Sequence, residues 1–220
     1  MSAVPVALGL RALRGGAVTV GVALEAETPR VVLSTFLATA AEGDRLALEP
    51  YHVAVEIAQT RAGRPQRGRT AYPADALTEP TSVIAEGRQR QDSMAAKGLD
   101  VILGRLRADG CEPRIAALLV NRAGWLTDEL RLSHSLSAPE HPPVIEGLAV
   151  RDALRFALGQ GGVPVTEMDE KSLPEVASQL FGVSVATLDA RLRDLGANAG
   201  KPWRKEQKLA CLAAWVALLA

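Results

Sequence analysis

The segment Val4–Leu37, VPVALGLRALRGGAVTVGVALEAETPRVVLSTFL, decides how this chain folds. Val4, Val6, Leu8 and Leu10 alternate with small or polar neighbours, the period of two expected of a strand. Arg14-Gly15-Gly16 is a tight-turn signal, because glycine takes positive φ without steric penalty. Ala17–Leu24 is the return strand. Glu25–Arg30, which contains Thr28-Pro29, reads as a second turn, and Val31–Leu37 as a third strand. Consecutive strands joined by short turns pair with one another, so the front of the chain is expected to be an antiparallel meander.

Outward from this meander the pattern changes. Glu49–Gln59 reads as a short helix or an extended run, the helix preferred, and Arg61–Pro80, polar and rich in Pro and Gly, as a long loop. Thr81–Ala108 is expected to be helical, with Leu99, Ile102, Leu103 and Leu106 as its apolar stripe. Ile115–Val120, IAALLV, is the continuous apolar run of a strand covered on both faces. Asn121–Pro143 reads as irregular, Glu146–Leu158 as a helix ended by glycines, and Val163–Met168 as a short strand. Ser172-Leu173-Pro174-Glu175 has the form of a capping box opening a helix that ends near Gly182, and Ser184 caps another that Gly196 ends. A last, almost wholly apolar helix starts near Pro202. The expected class is α/β: a mixed five-stranded sheet, three strands antiparallel and the rest parallel, flanked by helices. No linker divides the 220 residues, so one domain over 1–220 is expected.

Composition narrows the partners. Lys+Arg and Asp+Glu are equal at 25 each, which argues against a dominant polyanion-binding surface and leaves only local patches. Aromatics are 4% of the chain, so the core rests on Leu, Val and Ala. Cys111 and Cys211 are far apart and lack a CxxC partner, which fits reduced thiols and a cytoplasmic setting. No signal-peptide pattern opens the sequence, and the apolar run Leu209–Ala220 is shorter than the ~20 residues a bilayer span needs, so no membrane association is expected.

The order of elements resembles the ribonuclease H-like superfamily, in particular its RuvC-type resolvases. Val6–Ala12, VALGLRA, is similar to the first strand of that group; Gly147–Met168 is similar to its helix and fifth strand; Lys201–Leu219, with Lys205, Gln207 and Lys208, is similar to its C-terminal helix. LGLRA, EGLAVRDAL and GKPWRKEQKLACLAAW also resemble a set of uncharacterised bacterial proteins, a likeness that implies no known activity. Active members of the superfamily carry an aspartate where Arg11 stands, and Asn121 or Arg122 falls where a second acid belongs. Two-metal hydrolysis needs clustered carboxylates, because Mg²⁺ takes hard oxygen ligands. The resemblance therefore implies a degenerate member that binds nucleic acid or a protein partner, with no metal and no cofactor. The alternative is a metal-dependent nuclease with a rearranged acidic site, and only that alternative requires Mg²⁺.

The candidate residues follow. Arg11 in an apolar strand, the loop arginines Arg61, Arg64, Arg67 and Arg69, and the basic edge Arg204 and Lys205 are candidates for phosphate contact. His141 and Glu146, flanking Pro142-Pro143, are candidates for acid–base chemistry or metal ligation, and Asp169 follows a strand as cleft acids do. Each has a plainer reading: a solvated loop for the arginines, a helix-dipole partner for Glu146, a solvated turn for Asp169. HSLSAPEH matches no metal-binding spacing, and Gly15-Gly16 is no phosphate loop, since no Lys-Ser/Thr follows. An actin-like ATPase would need hydroxyl-bearing phosphate hairpins, which LRALRGGAVTV does not supply. The apolar C-terminal helix is also a candidate interface for a homo-oligomer.

Overall fold

A computed structural model describes residues 3–62, 74–121, 128–137 and 142–219. Three strands open it: β1 (Val4–Leu13), β2 (Gly16–Glu25) and β3 (Thr28–Ala38). Helices α1 (Arg45–Leu48), α2 (Pro50–Ala62) and α3 (Ala74–Ala108) lead to β4 (Cys111–Val120). Then come α4 (Asp128–Ser137), α5 (Pro142–Gln160), β5 (Val165–Asp169), α6 (Leu173–Phe181), α7 (Val185–Ala199) and α8 (Lys205–Ala217). The sheet order is β3-β2-β1-β4-β5. β1 pairs antiparallel with β2, and β2 with β3; β4 lies parallel to both β1 and β5. This is the mixed five-stranded α/β sheet expected from the sequence, with helices on both faces.

Alternation divides the sheet into two cores. Val6, Leu8 and Leu10 of β1 join Leu118 of β4 beneath Leu99, Leu103 and Leu106 of α3 and Leu154 and Leu158 of α5. Ala7 of β1, Val18, Val20 and Val22 of β2, and Ala117 and Leu119 of β4 face the other way, toward α8, α7 and α6. The central helix of this second layer is α8, whose residues from Ala210 to Ala217 are all buried. It sits unusually close to β1. A Cβ built on Gly9 would stand 1.8 Å from the Ala210 carbonyl oxygen, so no other residue fits there without displacing backbone. Glycine on the strand and alanines on the helix bring the two backbones into contact. The apolar surface of α8 is thus covered within this chain, which removes it as the expected homo-oligomer interface.

Other expectations are corrected. The second turn is only Ala26-Glu27, with Glu25 paired to Thr28 and Leu24 to Pro29. Both turn residues have positive φ, 45° and 68°, the twist that a two-residue hairpin turn requires. Helix α3 begins at Ala74 and carries Pro80 inside it, where the sequence reads as loop. A proline removes one N–H from the ladder; Thr81 and Ser82 hydroxyls donate to the Leu77 and Thr78 carbonyls beside it (2.8 and 3.1 Å). Helix α4 lies within the stretch read as irregular. Its buried side chains include Arg131 and Ser135, so it lacks the apolar stripe that announces a helix. Helix α7 runs through Gly196 to Ala199, because that glycine makes room for the Trp203 indole, 2.1 Å from a Cβ built there. The Trp203 indole N–H donates to the Leu192 carbonyl at 2.7 Å, fixing the approach to α8.

Candidate functional site

Odd-numbered residues of β1 face α8: Ala7 in the core, Gly9 under Ala210, then Arg11 at the strand's carboxyl end. Glu170 follows directly on β5, its N–H bonded to the Val120 carbonyl (2.9 Å). Glu206 lies in the first turn of α8, which Gln207 opens by accepting the Arg204 N–H at 2.9 Å. These three side chains meet. The Arg11 guanidinium lies 2.8 Å from Glu170 Oε1 and 3.5 Å from Glu206 Oε1. All three are sheltered, with 17%, 25% and 31% of their side chains exposed. Asn121, just beyond β4, is exposed and completes the strand ends of this crevice. Open α/β sheets bind ligands at such carboxyl ends.

A second arginine supports the crevice from the opposite layer. Arg151 of α5 is buried and its Nε donates to the Leu119 carbonyl at 3.4 Å. Burial, with Arg155 adding to it, lowers the Arg151 pKa from its usual value; Glu170 and Glu167 oppose that shift. Arg155 in turn bridges Asp152 (2.8 Å) and Glu167 (2.6 Å). Arginines and acids therefore pair on this layer too, between α5 and β5. Two carboxylates do converge at the strand ends, but both are engaged by the Arg11 guanidinium. Among the described residues, no group of three or more His, Cys, Asp and Glu side chains is placed to hold a metal ion. The set present, one cation between two carboxylates, does not fit Mg²⁺, which needs hard oxygen donors unopposed by positive charge.

The remaining sequence candidates separate. Arg204 and Lys205 are exposed at the start of α8 and form no ion pair among the described residues. Arg61 ends α2, a helix packed on α3 and α5 across the sheet from α8, and pairs with Glu79. It is not brought to Arg11. Arg64, Arg67, Arg69 and His141 lie outside the described residues. Asp169 Oδ1 accepts from the Lys171 and Ser172 N–H groups (both 3.0 Å) and from the Ser172 hydroxyl (3.2 Å). Asp169 thereby organises the turn into α6, and Ser172 makes no side-chain cap of its own, contrary to the capping box read from sequence.

Glu146 is also used structurally, but only in part. Its Oε1 accepts from the N–H groups of Tyr51 (2.9 Å) and His52 (3.0 Å), donors in the first turn of α2 that have no partner within the helix. His52 Nδ1 lies 3.3 Å from the same oxygen, so a histidine 94 positions away meets Glu146. The side chain is 8% exposed, and Oε2 is buried without a hydrogen-bond partner. Burial pushes the Glu146 carboxyl up to about 8; the two backbone N–H groups oppose this, and Glu49 adds to it. Glu146 and Asp169 serve different helices, α2 and α6. Sequence separation hid the Arg11 cluster: Glu170 is 159 positions away, and only its alternation with Met168 marks the face it points to.

No protein-family model matches the chain, and no curated protein matches it. Solved structures similar to it include two of Thermus thermophilus RuvC. One, RuvC in complex with a Holliday junction substrate, has 13% identity and a TM-score of 0.49, over 96% of this chain and 90% of that one. The other, T. thermophilus RuvC, has 14% identity and a TM-score of 0.48, over 96% of this chain and 91% of that one.

Proposed function

We propose that this chain is a ribonuclease H-like module that binds nucleic acid and does not hydrolyse it by a two-metal route. The observation that carries the reading is the Arg11 guanidinium bound by Glu170 and Glu206 at the carboxyl ends of the central strands. A fixed cation there neutralises the acids that would otherwise attract divalent metal, and it holds β1, β5 and α8 together. Arg11 then acts as the floor of the site rather than as a free phosphate ligand. Arg204 and Lys205, exposed beside it, are the cations available to phosphate oxygens. With a balanced net charge, such contacts give weak, salt-sensitive binding.

The test is fluorescence anisotropy with short duplex DNA, four-way branched DNA and RNA, at low and moderate salt. Binding that weakens with salt, and weakens further in Arg204→Ala/Lys205→Ala, is expected. No salt-dependent binding to any of the three would remove the nucleic-acid reading and leave a protein partner. The same substrates incubated with Mg²⁺ or Mn²⁺ should remain intact. Divalent-dependent cleavage, lost in Glu170→Gln and Glu206→Gln, would establish the rearranged nuclease instead.

A further inference from the structure

The sheltered arginines around α5 and the crevice have carboxylates, with one exception. Arg11 pairs with Glu170 and Glu206, Arg155 with Asp152 and Glu167, and Arg88 and Arg131 with Asp152. Arg151 has no ion pair among the described residues, although only 8% of it is exposed. Its one hydrogen bond among them runs from Nε to the Leu119 carbonyl, and at 3.4 Å it is long. The terminal nitrogens Nη1 and Nη2 are thus unpartnered, yet they are not sealed in. The unpartnered side-chain nitrogens without accessible surface are Arg11 Nε and Arg131 Nε among the described residues. A guanidinium withdrawn from water without a counter-charge is costly, and an anion that reaches it offsets the cost.

The bond to Leu119, one residue short of the end of β4, fixes where this fork opens. Leu119 stands in register with Arg11 of β1 and Met168 of β5, so the guanidinium lies at the carboxyl ends of the parallel strands. The charges of Glu170 and Arg11 both act on it there. We propose that Arg151 is the receptor for a single phosphate group, held by Nη1 and Nη2 at the carboxyl end of β4. The planar fork bonds two oxygens at once, which a phosphate group offers and a halide does not. Glu170 does not compete for it, because Arg11 holds that carboxylate at 2.8 Å. Inorganic phosphate and the phosphodiester of a strand share this chemistry. On the nucleic-acid reading the source is a strand: Arg151 takes one phosphate at depth, and the exposed Arg204 and Lys205 take others at the surface. The source rests on that reading; the receptor does not.

Inorganic phosphate is the first probe, with acetate and chloride at matched ionic strength, and a short single-stranded oligodeoxynucleotide is the second. The readouts are the Arg151 Nε–H resonance, assigned by its loss in Arg151→Gln, and the thermal midpoint. Phosphate should shift the resonance saturably and raise the midpoint, acetate less so and chloride not at all. Arg151→Lys keeps the charge without the fork and should bind phosphate about tenfold more weakly. Arg151→Gln removes an unmatched buried charge, so without phosphate it should be at least as stable as wild type, and phosphate should not raise its midpoint. By anisotropy, Arg151→Gln should also lose about tenfold in affinity for the oligonucleotide. No saturable phosphate shift in wild type, an equal response to acetate or chloride, or an unchanged midpoint rise in Arg151→Gln would each overturn the receptor. A phosphate response without oligonucleotide binding would keep the receptor and refute the nucleic-acid reading. Oligonucleotide binding that Arg151→Gln leaves unchanged would overturn the strand as the source.

Discussion

Glu146→Gln tests the energetics of the buried carboxyl without any ligand. The folded protein holds this group at about 8, against an ordinary value of 4.5. Below the ordinary value both folded and unfolded chains bind the proton, and the group contributes no slope. Between the two values the folded chain keeps its proton while the unfolded chain has lost it, so stability falls as pH rises. The slope approaches about 1.4 kcal/mol per pH unit, and the full interval corresponds to about 5 kcal/mol. That figure is a ceiling, because the surroundings relax around the charge as it forms. Urea denaturation at about pH 5 and about pH 8.5 should show wild type losing roughly 2–4 kcal/mol relative to the glutamine variant. Glutamine preserves the acceptor for Tyr51 and His52 and has no charge to desolvate. The variant should therefore be the more stable protein at the higher pH. Equal pH profiles, or a variant weaker at every pH, would refute the buried-acid account.

Three further outcomes are expected. Gly9→Ala forces a methyl to 1.8 Å from the Ala210 carbonyl and should lower the urea midpoint by an amount worth about 3 kcal/mol. Gly104→Ala, with nothing within 4 Å of its Cβ on α3, should instead gain about 0.5–1 kcal/mol, which makes it the control. Replacing Ala26-Glu27 by Asn-Gly should stabilise by about 0.4–1 kcal/mol in the same assay, since both positions hold positive φ. Cys111 and Cys211 are buried and free, and burial raises the Cys211 thiol to about 12. A disulfide exchange reagent should label them only in denaturant; rapid labelling of Cys211 in the native protein would contradict its place beneath the sheet.

The elements that announced themselves in the sequence are those whose buried face is apolar. β1 to β3 show period-two alternation, and IAALLV reads as a covered strand. What stayed hidden is polar or distant. Helix α4 buries Arg131 and Ser135, so its residues look like a loop, and Pro80 reads as a breaker although α3 absorbs it. The site was legible in half: Arg11 stood out as a charge in an apolar strand. Its partners did not, because an ion pair between β1, β5 and α8 is set by sheet order and not by spacing. For the same reason the contact of Glu146 with His52, across 94 positions, left no mark in the sequence. Ala210 against Gly9 was equally silent, since two small residues carry no pattern.

The order in which the chain emerges from a ribosome gives α8 a particular consequence. Val18, Val20, Val22 and Leu119 can all be paired in the sheet before residues 205–217 have been made, yet these are the side chains that α8 shields. During that interval one side of a finished sheet is a sticky apolar surface. A nascent chain stalled before Lys205 should bind hydrophobic dyes and chaperones, and release them once the helix docks. The Arg11–Glu206 contact closes at the same moment, so the crevice exists only in a chain whose translation has passed the helix that completes it.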